Sequence, residues 1–244
     1  MFEAVGQNPE DITATVDAFR DALGPNNGNS PVAGDPFGRR QINWDAAPDG
    51  ISDPNLFPGD FFNAGVNPRA RGIEFVATGS TTGFELSATE ASGTPPVFGV
   101  PTDFQPFSPE RIFRTIDGNT FDVKFFSPVD QTTEANVRGL GVVFGDVETE
   151  GAAVMSFFDR QDNLLFTRNV LTGPDIGLSF LGVIFDSFAV SRVGIIAGGS
   201  GDNVIMDDFI FGEPVPVGEV PIPAAAALFP LGAALIARRR QKRS

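Results

Sequence analysis

Apolar residues recur along this chain with two different periods. Between residues 9 and 23 they fall three or four apart, at Ile12, Val16, Phe19 and Leu23, which places them on one face of a helix. Glu10 and Asp11 occupy the first turn, and Gly24-Pro25-Asn26-Asn27-Gly28 supplies the stop. The pattern predicts one amphipathic helix over 9–23, packed over one end of whatever follows. From Gly72 onward the runs are short, β-branched or aromatic, and bounded by turn residues, which predicts strands at 72–78, 83–88, 120–126, 138–146, 151–159, 163–170, 178–186, 188–197 and 203–211. Nine strands with no second helix among them predict an all-β fold, an antiparallel β-sandwich of jelly-roll type over 26–212. Leu178 to Phe185 is apolar on both faces, as in a central strand. Ser92–Pro109, with five prolines, is expected to cross between strands irregularly. Gly141-Val-Val-Phe-Gly-Asp146 and Gly182-Val-Ile-Phe-Asp186 echo one another too briefly to form a repeat.

Both periods fail in two places. Residues 26–71 are rich in Gly, Pro, Asn and Asp, and a loop of that length is usually functional or tightly wrapped. At the other end, a Pro-rich spacer from Gly212 to Glu219 leads to Val220-Pro221-Ile222-Pro223-Ala224. An apolar run then extends to Ala237, followed by Arg238, Arg239, Arg240, Lys242 and Arg243. The run of 14 residues reaches about 21 Å as a helix, short of a hydrocarbon core of about 30 Å, and Pro230 interrupts it. This tail resembles the PEP-CTERM sorting signals, in particular the Val-Pro-Leu-Pro-Ala branch, with Ile222 in place of leucine. The resemblance implies that Val220, Pro221, Pro223 and Ala224 form the sorting motif of segment 220–244. It also implies an inner-membrane exosortase-type enzyme as partner, and a basic cluster that holds the C-terminus in the cytoplasm. Everything before Val220 would then be exported to the cell surface or extracellular matrix. Such a route calls for a basic and then apolar leader, which Met1–Gly24 lacks, so either the leader was omitted or the true start lies upstream. The segments Arg39 to Asp45, Phe61-Phe62-Asn63 and Pro68 to Gly72 look like ectodomains carried by such tails, a domain type of unassigned activity.

Composition narrows the chemistry. The net charge of −14 includes all five basic residues of the tail, so residues 1–237 carry −19. Such a body does not bind nucleic acid by neutralising phosphates. Cysteine, histidine and tyrosine are absent and Lys124 is the single lysine outside the tail. Disulfides, histidine triads and histidine metal sites are thereby excluded, and a surface charge is the plain role for Lys124.

Three sets of residues remain as candidate chemistry. Asn43, Trp44 and Asp45 could form a sugar platform, an aromatic face flanked by polar groups. Asp45, Asp49 and Asp53 recur on a turn-rich backbone and offer oxygens to a structural Ca²⁺. Asp207 and Asp208 lie adjacent in the last strand, and strand alternation would send them to opposite faces, one of them into an apolar layer that demands hydrogen bonds or a metal. That strand looks like the closing strand of glycan-binding and adhesion jelly rolls, in which an acidic residue often serves a calcium ion. Arg69 and Arg71 are expected to pair with carboxylates of the acidic body. The reading favours a non-enzymatic protein associated with exopolysaccharide. A carboxylate-dependent glycan hydrolase or lyase on the same scaffold is the alternative, although no pair of acids stands out for it.

Overall fold

The computed structural model describes residues 1–199 and 203–218; residues 220–244, expected to form a sorting signal, lie outside them. In chain order the elements are β1 (Phe2–Gly6), α1 (Pro9–Leu23), β2 (Arg39–Ile42), β3 (Ile73–Ala77), β4 (Gly83–Leu86), β5 (Phe113–Ile116), β6 (Thr120–Phe125) and β7 (Ala135–Asn136). They continue with β8 (Gly139–Gly145), β9 (Ala153–Phe158), β10 (Leu164–Asn169), β11 (Leu178–Ile184), β12 (Arg192–Ala197), β13 (Ile205–Gly212) and β14 (Val215–Pro216). Every strand pair is antiparallel. One sheet runs β1-β11-β8-β13-β5-β4, with β2 also paired to β13, and a second runs β10-β9-β12-β6-β3. The sheets face each other across a core that includes Phe75, Phe121, Phe144, Phe157 and Phe209, so the expected antiparallel β-sandwich forms.

The helix does not sit at one end of the sandwich. Ile12, Val16, Phe19 and Leu23 pack on the outer face of the larger sheet, against Val143, Leu178, Phe180 and Ile210. This third layer explains why β8 and β11 are apolar on both sides. Val142, Phe144 and Leu181 point into the sandwich, while their strand neighbours point at the helix. The echo at Gly141 and Gly182 has the same cause. These glycines are cross-strand partners, and a Cβ on either would lie 2.6 Å from the ring of Phe19. Phe19 settles into the notch they leave, edge-on to Phe180 and Phe2 at 5.4 and 5.5 Å.

Five strands escaped the sequence pattern: β1, β2, β5 and the two-residue β7 and β14. In β2 the inward position that alternation reserves for an apolar residue is held by Arg40, fully buried. Its guanidinium forks onto Glu213, Nε to Oε2 at 2.7 Å and Nη2 to Oε1 at 2.8 Å, and also donates to the carbonyls of Val32 and Ala70 at 2.7 Å. Glu213 accepts further bonds from Asn27 Nδ2 and Gly34 N. One ion pair therefore fastens the long loop to the end of β13. Glu213 and Val215 are buried and β14 pairs with β7, so residues 213–218, expected to be spacer, belong to the folded body.

Candidate functional site

The structure gathers Trp44, Asp45, Asp207 and Asp208, but not in the expected way. Trp44 has φ of 65°, which turns its side chain inward. It is 1% exposed, stacked on Phe113 at 4.4 Å and edge-on to Phe57, Phe62 and Phe209. Its Nε1–H donates to the carbonyl of Asp207 at 2.8 Å. Trp44 is a core residue, which corrects the sugar-platform expectation: no indole face is left for a ligand.

Asp207 and Asp208 turn to one side. Between Met206, opposite Phe144, and Phe209, opposite Val142, β13 advances three residues against two on β8, and this β-bulge overrides the alternation. Ser108 Oγ lies 3.2 Å from Asp207 Oδ1 and donates to Asp208 Oδ1 at 2.8 Å. Asp207 Oδ2 accepts the amides of Phe107 and Ser108 at 2.6 and 3.0 Å, and Asp208 Oδ2 accepts Arg20 Nη2 at 2.6 Å. Burial, then the neighbouring Asp208, pushes the Asp207 carboxyl well above the usual range. Burial also raises Asp208, with Ser108 and Arg20 opposing. Asp45 accepts Asn43 Nδ2 at 2.7 Å and the Arg111 amide at 3.3 Å, and is pushed up to about 6, chiefly by burial.

The pair Asp207 and Asp208 is thus a buried, hydrogen-bonded knot that ties the 107–108 segment and α1 to the bulge. The oxygens that this pair would offer to Ca²⁺ are engaged by the Phe107 and Ser108 amides, Ser108 Oγ and Arg20. Asp49, also offered to Ca²⁺ by the sequence, accepts Arg111 Nη2 on its Oδ1 at 2.6 Å. Asp146, Glu148 and Asp175 do bring carboxylate oxygens within 4.8 Å of one another, at a place the sequence did not single out.

An open groove of about 460 Å³ lies on the solvent face of the second sheet. Its floor is built by alternation: in β6, Phe121, Val123 and Phe125 enter the core while Asp122 and Lys124 face out, and Arg192 of β12 lies across from Lys124. Its walls come from Glu134, Ala135 and Asn136 on one side and from Arg160 and Asp162 of the β9–β10 turn on the other. Arg192 spans the floor, pairing with Asp122 at 2.9 Å and Asp162 at 3.0 Å over the ring of Phe158, 3.9 Å from its centroid. Lys124 makes no ion pair or hydrogen bond among the described residues, and Asn136 Oδ1 is buried without a donor. The groove therefore combines a free donor in Lys124, carboxylates of Asp122, Glu134 and Asp162, and a cation over an aromatic ring.

No family model and no curated protein matches the chain. Among solved structures, TmCBM61 in complex with β-1,4-galactotriose superposes with a TM-score of 0.29 at 11% identity, over 59% of this chain and 86% of that one. The CBM22-1 and GH10 modules of Clostridium thermocellum xylanase 10B, complexed with xylohexaose, give 0.30 at 15% identity, over 58% of this chain and 26% of that one. The lectin-binding domain of lectinolysin complexed with Lewis b gives 0.27 at 14% identity, over 56% and 98%. Among the described residues, no helix is long and apolar enough to cross a membrane.

Proposed function

We propose that this chain is an exported surface or matrix protein that binds polysaccharide through the groove at Lys124 and Arg192, with residues 220–244 serving as the sorting signal for a membrane-bound exosortase-type enzyme. The observation that carries the binding half is the groove itself. A glycan presents many hydroxyls, each both donor and acceptor, and a site for it needs convergent polar groups of both kinds on a rigid floor. Asp122, Glu134, Asp162, Lys124 and Arg192 provide them on and beside a sheet. The sorting half rests on the Val220 to Ala224 motif and the basic cluster.

The reading is tested by passing the full chain, in mild detergent, over immobilised polysaccharides, scoring retention separately from released reducing ends. The proposal expects retention without release. Release would favour the carboxylate-dependent hydrolase or lyase, and a chain that neither stays nor cleaves on any polysaccharide would overturn the binding half.

A further inference from the structure

Another cavity, of about 320 Å³, is lined by the long loop and shares no lining residue with the groove. Its walls are Pro48, Phe61, Phe62 and Pro68 beside Asn43 and Trp44, and its charged groups are Arg69 and Arg71. Neither arginine has a carboxylate within salt-bridge distance among the described residues, although the protein is acidic. Instead each stacks on a phenylalanine, Arg69 on Phe61 at 4.1 Å and Arg71 on Phe62 at 4.5 Å. Arg71 is only 7% exposed. Its Nε donates to the Gln41 carbonyl at 2.8 Å and its Nη1 to the Pro68 carbonyl, while Nη2 has no partner and is not enclosed. Arg69 spends only Nε, on the Phe61 carbonyl at 2.9 Å. Burial, with Arg40 close by, pulls Arg71 down to about 10, so it stays cationic at neutral pH.

A buried guanidinium without a counter-ion is costly, and carbonyl dipoles compensate it only in part. The remaining donors of two forks converge on one cavity, and a planar carboxylate is the anion that such forks match. The walls select further. Flat phenylalanine and proline surfaces suit the C–H face of a sugar ring, whereas a bare inorganic anion would leave them unused. At about 320 Å³ the cavity is at the small end for ligand pockets, room for a single ring. The net charge of −14 does not forbid an anion here, since charges farther than about 8 Å are screened at physiological ionic strength.

We propose that Arg69 and Arg71 form a carboxylate-recognising pocket that holds one hexuronate ring, so that the protein takes acidic as well as neutral polysaccharide. Trp44, the sole tryptophan of the chain, borders the pocket and reports on it. The test titrates the full chain in non-ionic detergent with sodium glucuronate, glucose, sodium acetate and inorganic phosphate, following tryptophan fluorescence. Glucuronate should give a saturable change; glucose, acetate and phosphate should be weaker by about tenfold or more. Arg69→Gln, which removes no buried group, should weaken glucuronate by about tenfold while leaving the melting temperature unchanged. Arg71→Lys, which keeps the charge but loses the fork, should weaken it similarly; should that variant not fold, Arg69→Gln decides alone. Lys124→Gln in the groove should titrate like the parent, which separates this proposal from the groove reading. Phosphate or glucose binding as tightly as glucuronate, an unaffected Arg69→Gln, or no saturable signal would each overturn the assignment.

Discussion

At the scale of single residues, the molecule is held by buried polar groups whose partners lie far away in sequence. The knot at Asp207 and Asp208 shows the consequence. Carboxyls raised above their unfolded value of 3.8 bind more protons in the folded state than in the unfolded one. Their contribution is present at low pH and is lost as pH rises through the folded pKa. For Asp45 that window runs from about 4 to about 6, and Asp207 extends it upward. Asp207→Asn keeps the acceptor for the Phe107 and Ser108 amides, adds a donor for Asp208, and cannot ionise. The melting temperature of the parent should fall between pH 4 and 7, while that of Asp207→Asn should fall less and exceed the parent at pH 7. A variant less stable than the parent at pH 7, with the same slope, would show that the ionised form of Asp207 is the native one. The acidic pair itself was legible in the sequence; its geometry was not, because alternation assumes an uninterrupted strand and a bulge leaves no local mark.

At the scale of elements, α1 and the β8–β11 pair are fitted to one another through Phe19. Gly141→Ala or Gly182→Ala places a methyl group where that ring rests, and overpacking of this sort costs about 1–3 kcal/mol. Each variant should lower the denaturant midpoint, and combining either with Phe19→Ala should relieve part of the added cost, since the ring is then gone. Full additivity would mean that the glycines and Phe19 act independently. The periodic elements were the readable ones. The helix at 9–23 was placed correctly, and all nine expected strands lie within a few residues of β3, β4, β6 and β8 to β13. What hid β2 was Arg40, a charge at an inward position whose partner Glu213 lies 173 residues away. β5 was hidden by Arg114 and Thr115 in a run of four residues. Trp44 was misplaced for a related reason: polar neighbours suggested exposure, while its burial depends on Phe57, Phe75, Phe113 and Phe209 arriving from other elements.

At the scale of the whole molecule, the packed part of the described chain continues past the last long strand, through Glu213 and β14. Truncation after Gly218 keeps the Arg40–Glu213 pair and β14, and should give a folded domain. Truncation after Gly212 strands a buried guanidinium, and breaking a buried pair in this way costs about 3–5 kcal/mol. Thermal melts of the two truncations separate these outcomes, and equal stability would remove Glu213 from its structural role. The most direct test of binding at the sheet face uses Lys124→Gln with Arg192→Gln. Both side chains lie on the solvent side of the second sheet; Lys124 has no partner among the described residues to lose, while Arg192→Gln gives up two ion pairs and the contact with Phe158, a modest cost for groups open to solvent. With an immobilised polysaccharide that retains the full chain, the double variant should elute earlier, its dissociation constant raised by about tenfold or more while a cooperative thermal melt shows that it remains folded. Equal retention of parent and double variant would contradict the account and move the binding surface away from this groove.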